Sequence, residues 1–186
     1  KKLILIEKER KTKSLNRLTE FRVALVGYTN AGKSTLFNAL TGSDVYIKDQ
    51  LFATLDTTVR KLKIDSSHKA LISDTVGFIR KLPHNLVASF KSSLQEVLQA
   101  DLIVIVLDMS SLQLKDNFDT INEVLKEMGA DRIPSINVLN KLDLISDQYK
   151  VNQIRSFFPG SVTISAQHYL MLSELKEKIK FEMEKN

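Results

Sequence analysis

An α/β fold, arranged as a three-layer sandwich around a mostly parallel central sheet, is predicted by three observations. Strand-like apolar runs alternate with helix-like runs along the chain, the pattern of a sheet with helices on both faces. The run Leu102-Ile103-Val104-Ile105-Val106-Leu107 is continuous and rich in β-branched residues, as suits a central parallel strand covered on both sides. Residues Gly27-Tyr28-Thr29-Asn30-Ala31-Gly32-Lys33-Ser34 form a G-x-x-x-x-G-K-S loop between the apolar run Val23–Val26 and the helical pattern Leu36–Leu40, a strand–loop–helix setting.

The elements follow in order. Residues 1–20 are charged and lack Gly and Pro, with Leu15 and Leu18 at i, i+3. They are expected to form a weakly amphipathic basic helix preceding a domain over 21–186. A buried strand over 21–27 runs into the loop, and a helix over 33–41 stops at Gly42. Residues 43–56 lack periodicity and read as a loop. Val59, Leu62 and Ile64 mark a strand with imperfect alternation. Ser66-Ser67 is a turn, and Ala70-Leu71-Ile72 is a short strand reaching Asp74. Asn85 to Gln99 reads as a helix with an apolar stripe of Leu86, Phe90, Leu94, Val97 and Leu98. Leu114, Phe118, Ile121, Leu125 and Met128 recur at 4-3-4-3 spacing, a helix face that Gly129 ends. Ile136–Leu139 is another buried strand, 147–157 a helix stopping before Pro159-Gly160, and Val162-Thr163-Ile164 a short strand. Leu172, Leu175, Ile179 and Met183 mark the closing helix.

A length of 186 residues is enough for one well-cored domain, and 43% apolar with 26% charged residues is ordinary for a soluble globular protein. No apolar run approaches the ~20 residues of a membrane-spanning helix, so no transmembrane segment is expected. The run Leu3–Ile6 is too short for the apolar core of a secretory signal. With no cysteine there is no disulfide framework and no thiolate metal site, which is compatible with a cytoplasmic location. His68, His84 and His168 are scattered and suggest no zinc triad. The first residue is not Met, so the chain is expected to be a piece of a longer protein. The net charge of +5 resides in residues 1–22, which hold eight Lys/Arg against three Asp/Glu; the remainder carries 19 of each sign. Such a basic arm suits RNA or a phosphate-rich neighbour, or equally a solvated helix.

The loop states a chemistry. Successive backbone N–H groups at a helix N-terminus form an anion nest favoured by the helix dipole. Lys33 can reach the β- and γ-phosphates of a nucleotide and Ser34 can ligate Mg2+. Asp74-Thr75-Val76-Gly77 lies at a strand end, where an acid can hold Mg2+ through water and Gly77 lets a backbone N–H approach the γ-phosphate. Asn140-Lys141-Leu142-Asp143 ends another strand. A carboxylate there accepts hydrogen bonds from guanine N1–H and its exocyclic amine, a donor pair adenine lacks, so Asp143 would select GTP over ATP. Ser165-Ala166, with Gln167 after it, follows the last strand, and its backbone amides can meet guanine O6. A Thr of the loop before the second strand should reach Mg2+; Thr54, Thr57 and Thr58 are candidates that spacing leaves open.

Gly27 through Thr41, which includes Thr35 after the loop serine, together with Leu51–Asp56 and Asp74–His84 resemble the HflX family of translation-associated GTPases, over roughly residues 15 to 183, a motif-based extent. The resemblance implies a P-loop NTPase fold of the Ras-like GTPase type. It implies GTP binding and hydrolysis with Mg2+ held by Ser34, Thr54 and Asp74, and a switch loop in which Phe52, Ala53, Thr54, Leu55 and Asp56 approach the nucleotide. Lys33, Thr54 and Gly77 would be the catalytic set. It also implies association with the large ribosomal subunit and rRNA, with a role in splitting or rescuing stalled ribosomes, and no DNA partner; a monomer is the favoured state. Ribosome-assembly and tRNA-modification GTPases, which share the same base chemistry, and a nucleotide-dependent RNA-binding module with negligible turnover stand as alternatives. Two departures accompany it: Thr57 replaces the family's usual Pro after the switch-loop Asp, and where the family carries an N-terminal domain and a helical linker, residues 1–20 are expected to be only the end of that linker, the basic arm, ahead of a GTP-binding domain over 21–186.

Three expectations concern turnover. Phe78 follows Asp-x-x-Gly, where many GTPases carry a water-orienting Gln, so intrinsic hydrolysis should be slow and depend on outside help. Asn30 sits where potassium-activated relatives place a cation-coordinating amide, so K+ is a possible activator. The switch loops, about 49–58 and 75–90, should order around γ-phosphate. Arg60, Lys61, Lys63, Arg80 and Lys81 beside them would place rRNA contacts under nucleotide control.

Overall fold

The computed structural model describes residues 20–42, 58–75, 77 and 95–185. Within them a six-stranded sheet has the order β2-β3-β1-β4-β5-β6. Its strands are β1 (Arg22–Gly27), β2 (Thr58–Lys63), β3 (Lys69–Asp74), β4 (Leu102–Asp108), β5 (Ser135–Asn140) and β6 (Val162–Thr163). The helices are α1 (Lys33–Thr41), α2 (Leu114–Glu127), α3 (Gln148–Phe157) and α4 (Leu172–Met183), with a 3-10 turn at Leu142–Leu144. All neighbouring strands are parallel except β2 and β3.

Alternation along the central strands creates two cores. Val23 and Leu25 of β1 and Leu102, Val104 and Val106 of β4 face one way, where they meet Leu36, Phe37 and Leu40 of α1 and Leu175 and Ile179 of α4. Ala24 and Val26, with Ile103, Ile105 and Leu107, face the other way against Ile121 and Leu125 of α2 and Val151 of α3. Period-2 strand geometry thus makes a continuous apolar run serve both layers. Each fully buried Leu, Ile or Phe contributes about 1.5–3 kcal/mol. On the second face Phe118 and Phe158 pack edge to face at 5.1 Å between ring centroids.

The structure departs from the sequence pattern in three places. The turn read at Ser66-Ser67 joins β2 to β3, and it begins early, because Asp65 Oδ1 accepts the amides of Ser67 and His68 at 2.8 and 2.7 Å and closes the chain on itself. Ile64 therefore falls in the turn, outside β2. Lys180 of α4 pairs with the same carboxylate at 2.9 Å, and this ammonium holds the Asp65 pKa well below the usual carboxylate range. Leu98, placed on an apolar stripe by the pattern, is 48% exposed; Val97 and Ala100 take the buried positions at the end of the helical turn 95–98. Ile164 leaves the ladder after Thr163 yet stays fully buried, its amide donating to Leu139 O at 2.8 Å. The predicted linker over 1–19, the rest of the helix over 85–94, and the loop 43–57 lie outside the described residues.

Candidate functional site

The sheet order reverses at β1: the chain goes on to β3 on one side and to β4 on the other. In open α/β sheets, ligands bind in the crevice at the carboxyl ends of strands flanking such a switch point. The buried polar side chains Lys33, Asp74, Thr75, Asn140 and Ser165 follow the carboxyl ends of β1, β3, β5 and β6. That concentration marks the site, since polar groups inside a core are retained only when they are paired.

The loop after β1 folds back on itself. Ala31 N–H donates to Tyr28 O at 3.2 Å, and Asn30 adopts a left-handed conformation (φ 62°) that Asn tolerates better than most residues. Gly32 caps α1 with φ 90°, and a Cβ there would collide with the Asn140 amide nitrogen, so both backbone and space demand glycine. No side chain caps α1, which leaves the amides of its first turn for an anion. Lys33 is 6% exposed and donates to Tyr28 O at 3.1 Å. Gly77 lies against this loop: a Cβ would sit 2.9 Å from Lys33 Nζ and 2.9 Å from Thr29 Cα, so the segment after β3 reaches the lysine only because it carries hydrogen there.

Ser34 Oγ donates to Asp74 Oδ2 at 2.6 Å, across 40 residues of sequence. A hydroxyl and a carboxylate converging at the first turn of a helix form the oxygen-rich donor set that Mg2+ takes, so the residues present fit the metal. Thr75 does something else. Its Oγ1 donates to Leu25 O at 2.6 Å and is buried, so its side chain stitches β3 to β1.

At the far end, Asn140 joins three segments. Its Nδ2 donates to Ala31 O at 2.9 Å and its Oδ1 accepts from Ala166 N–H at 3.0 Å. These partners fix the amide's orientation, since a carbonyl only accepts and an N–H only donates. Ser165, fully buried, donates its hydroxyl to Asp143 Oδ1. A tight hairpin, with Leu170 N–H to Ser165 O at 2.9 Å, holds the exposed Gln167 on the same loop. The sequence patterns missed two neighbours. His168 Nε2 lies 3.9 Å from Asp143 Oδ2, and Asp108 at the end of β4 pairs with Lys141 Nζ at 2.8 Å. Its strand-end position in Leu107-Asp108 was the available signal for Asp108; nothing in the chain order signalled His168.

Tyr28 through Gly32, Lys33, Ser34, Asp74 and Gly77 are thus gathered at one end, and Asn140, Lys141, Asp143, Ser165 and Ala166 at the other, tied through Asn140. Thr35 sits in the first turn of α1. Thr58 opens β2 as the register partner of Asp74. Phe52, Ala53, Thr54, Leu55, Asp56, Thr57, Val76, Phe78, Arg80 and Lys81 lie outside the described residues.

Burial lowers the Lys33 pKa from 10.5 to about 8, with Asp74 acting in the opposite direction. The unfolded chain therefore holds more protons than the folded chain between pH 8 and 10.5, and stability must rise with pH across that window. The cost of the buried ammonium is fully present below pH 8, on the order of 3 kcal/mol as an upper bound. Urea unfolding of nucleotide-free protein in chelator at pH 7.5 and 9.5 should show the gain. Lys33→Met should remove it; an identical pH slope in the variant would contradict the assignment.

Fold and loops together define a nucleotide-binding domain of the P-loop, Ras-like type. The family model described as 50S ribosome-binding GTPase matches residues 22–141. GTPase HflX of Caldanaerobacter subterraneus subsp. tengcongensis is 48% identical over 161 residues, 87% of this chain and 36% of that protein. GTPase HflX of Escherichia coli is 47% identical over 146 residues, 78% of this chain and 34% of that protein. The chain belongs to the HflX GTPase family, and it spans about a third of the length of these curated relatives. Among solved structures, Era in complex with MgGDPNP and nucleotides 1506–1542 of 16S ribosomal RNA aligns with a TM-score of 0.69 at 26% identity, over 86% of this chain and 55% of that one. The FeoB G-domain of Methanococcus jannaschii aligns with a TM-score of 0.62 at 27% identity, over 88% of this chain and 97% of that one. No helix among the described residues is long and apolar enough to cross a membrane.

Proposed function

We propose that this domain binds GTP, hydrolyses it to GDP and phosphate, and serves as the nucleotide switch of a protein acting on the large ribosomal subunit. The observation that carries the nucleotide reading is the Asn140 side chain, bonded at once to the phosphate loop and to the Ser165–Ala166 loop. It fixes the distance between an anion nest and a base-reading carboxylate. The amides of Tyr28 through Thr35 and the Lys33 ammonium take the phosphates, while Asp143 accepts from the guanine N1–H and amine and the Ala166 region meets O6, with Gln167 flanking the base. Ser34 and Asp74, joined by Thr54, would hold Mg2+, which would supply positive charge against the phosphates. The Gly77 amide meets the γ-phosphate. In the reaction a water oxygen forms a bond to the γ-phosphorus as the bond to the β-phosphate oxygen breaks, and GDP leaves with the electron pair.

The position after Gly77 is Phe78, which offers the attacking water no hydrogen bond, so turnover depends on a group or ion from outside. Asn30 supplies an amide oxygen for K+ beside the phosphates. The ribosomal part rests on family membership and on the basic residues Arg60, Lys61 and Lys63 of β2, a strand whose first residue, Thr58, is in register with Asp74. The two segments 1–20 and 21–186 act in this reading as linker and GTP-binding domain.

The test is steady-state GTP hydrolysis in KCl and in NaCl, with and without purified large ribosomal subunits, using Lys33→Ala as the blank. Strong stimulation by the subunit is the expected result. Equal turnover in K+ and Na+ would remove the potassium role, and turnover of ATP at a comparable rate would remove the guanine assignment.

A further inference from the structure

We infer that Asp108 is a positioning residue for guanine-nucleotide binding, acting through Lys141; the inference rests on the nucleotide reading above. Asp108 ends β4 directly beside Asn140 in register, and Met109 N–H donates to Asn140 O at 3.0 Å, so the two strand ends are clamped together. The Asp108 carboxylate is divided between two tasks. Oδ1 accepts from Ser110 N–H at 2.9 Å and from its hydroxyl at 2.6 Å, which fixes the plane of the group. Oδ2 then faces Lys141 Nζ at 2.8 Å, with both side chains only about one-fifth exposed, 21% and 22%.

Lys141 stands at the centre of the site. Asn140 before it is bonded to the phosphate loop, and Asp143 lies two residues on. Its backbone is left-handed (φ 66°), which aims its side chain differently from a residue continuing β5. Asp108 also lines a cleft shared with Tyr28, Thr29, Asn30 and Ala31, so the carboxylate that holds Lys141 sits beside the phosphate loop. A free lysine on a four-carbon stem samples many rotamers, whereas an ammonium held by a pre-oriented carboxylate is ordered before ligand arrives. The ordering lowers the entropy lost on binding and should appear in the dissociation rate. Asp108 itself touches no nucleotide in this account.

The measurement is release of fluorescent mant-GDP from the 186-residue chain with Mg2+ by stopped flow, for the wild type, Asp108→Asn, Lys141→Met and the double variant. Asp108→Asn should release mant-GDP about tenfold faster, Lys141→Met at least as fast, and the double variant no faster than Lys141→Met alone. The nucleotide-free thermal midpoint of Asp108→Asn should stay within about 2 °C of the wild type. Unchanged or slower release would overturn the inference. So would an acceleration that persists with Met at position 141, or a midpoint that falls in step with release, since Asp108 would then only tether two strand ends. A wild type that fails to bind mant-GDP at all would overturn the nucleotide reading as well.

Discussion

Asp143→Asn should abolish tight GDP binding and create affinity for xanthosine diphosphate. The carboxylate offers two acceptors to guanine N1–H and the exocyclic amine; an amide offers one acceptor and one donor, and the donor meets the amine head-on. Sites built to hydrogen-bond a particular group reject a mismatched ligand by roughly 10^4-fold, because buried partners are left unpaired. Xanthine carries a carbonyl where guanine carries the amine, so the new donor finds an acceptor. Ser165 Oγ, which donates to Asp143 Oδ1, can donate to the amide oxygen in the variant and keep the loop in place. Titration with mant-GDP and its xanthine analogue checks both halves. GDP affinity within tenfold of the wild type would mean that another group reads the base.

Asn140→Ala should cost about 2–4 kcal/mol of folding stability, measured as the loss in urea unfolding free energy without nucleotide. Asn140 is 2% exposed, and its removal strands the Ala31 carbonyl and the Ala166 amide, both on buried residues. Each such group carries a desolvation penalty of about 1–3 kcal/mol, more than the net value of the bond it lost. Nucleotide affinity should fall too, because the phosphate loop and the base loop lose their shared anchor. A loss below about 1 kcal/mol would show that water replaces the amide at no cost.

The fold was legible because its signals were long and mutually consistent. The continuous β-branched run over 102–107, the 4-3-4-3 face over 114–128 and the glycine stop at 42 all point to the elements found. Glycine at 32 and 77 was equally readable, and the structure supplies the reason in contacts with Asn140 and Lys33. What the sequence hid was set by tertiary contact. That β2 ends at Lys63 and leaves Ile64 in the turn depends on one carboxylate accepting two amides, a geometry that Asp65-Ser66-Ser67 states only weakly. Thr75 looked like a site residue because it sits inside a motif, yet its hydroxyl serves β1. Asp108 carries only a strand-end position as its signal, and His168 is brought to Asp143 by the hairpin after Ser165, a fold that the residue order does not state.

The bond from Asn140 to Ala31 spans 109 residues, and that separation sets an order of events during synthesis. The phosphate loop leaves the ribosome early, but the side chain that fixes its carbonyl is still untranslated. At roughly 5–20 residues per second, on the order of 5–20 s pass before Asn140 is even polymerised. The parallel neighbours of β1 impose a similar wait, since β4 must cross over before it can pair. A nascent chain truncated before β5 therefore lacks a formed nucleotide site. In the proposed reading, guanine nucleotide would therefore stabilise the assembled domain rather than guide the folding of its first strands.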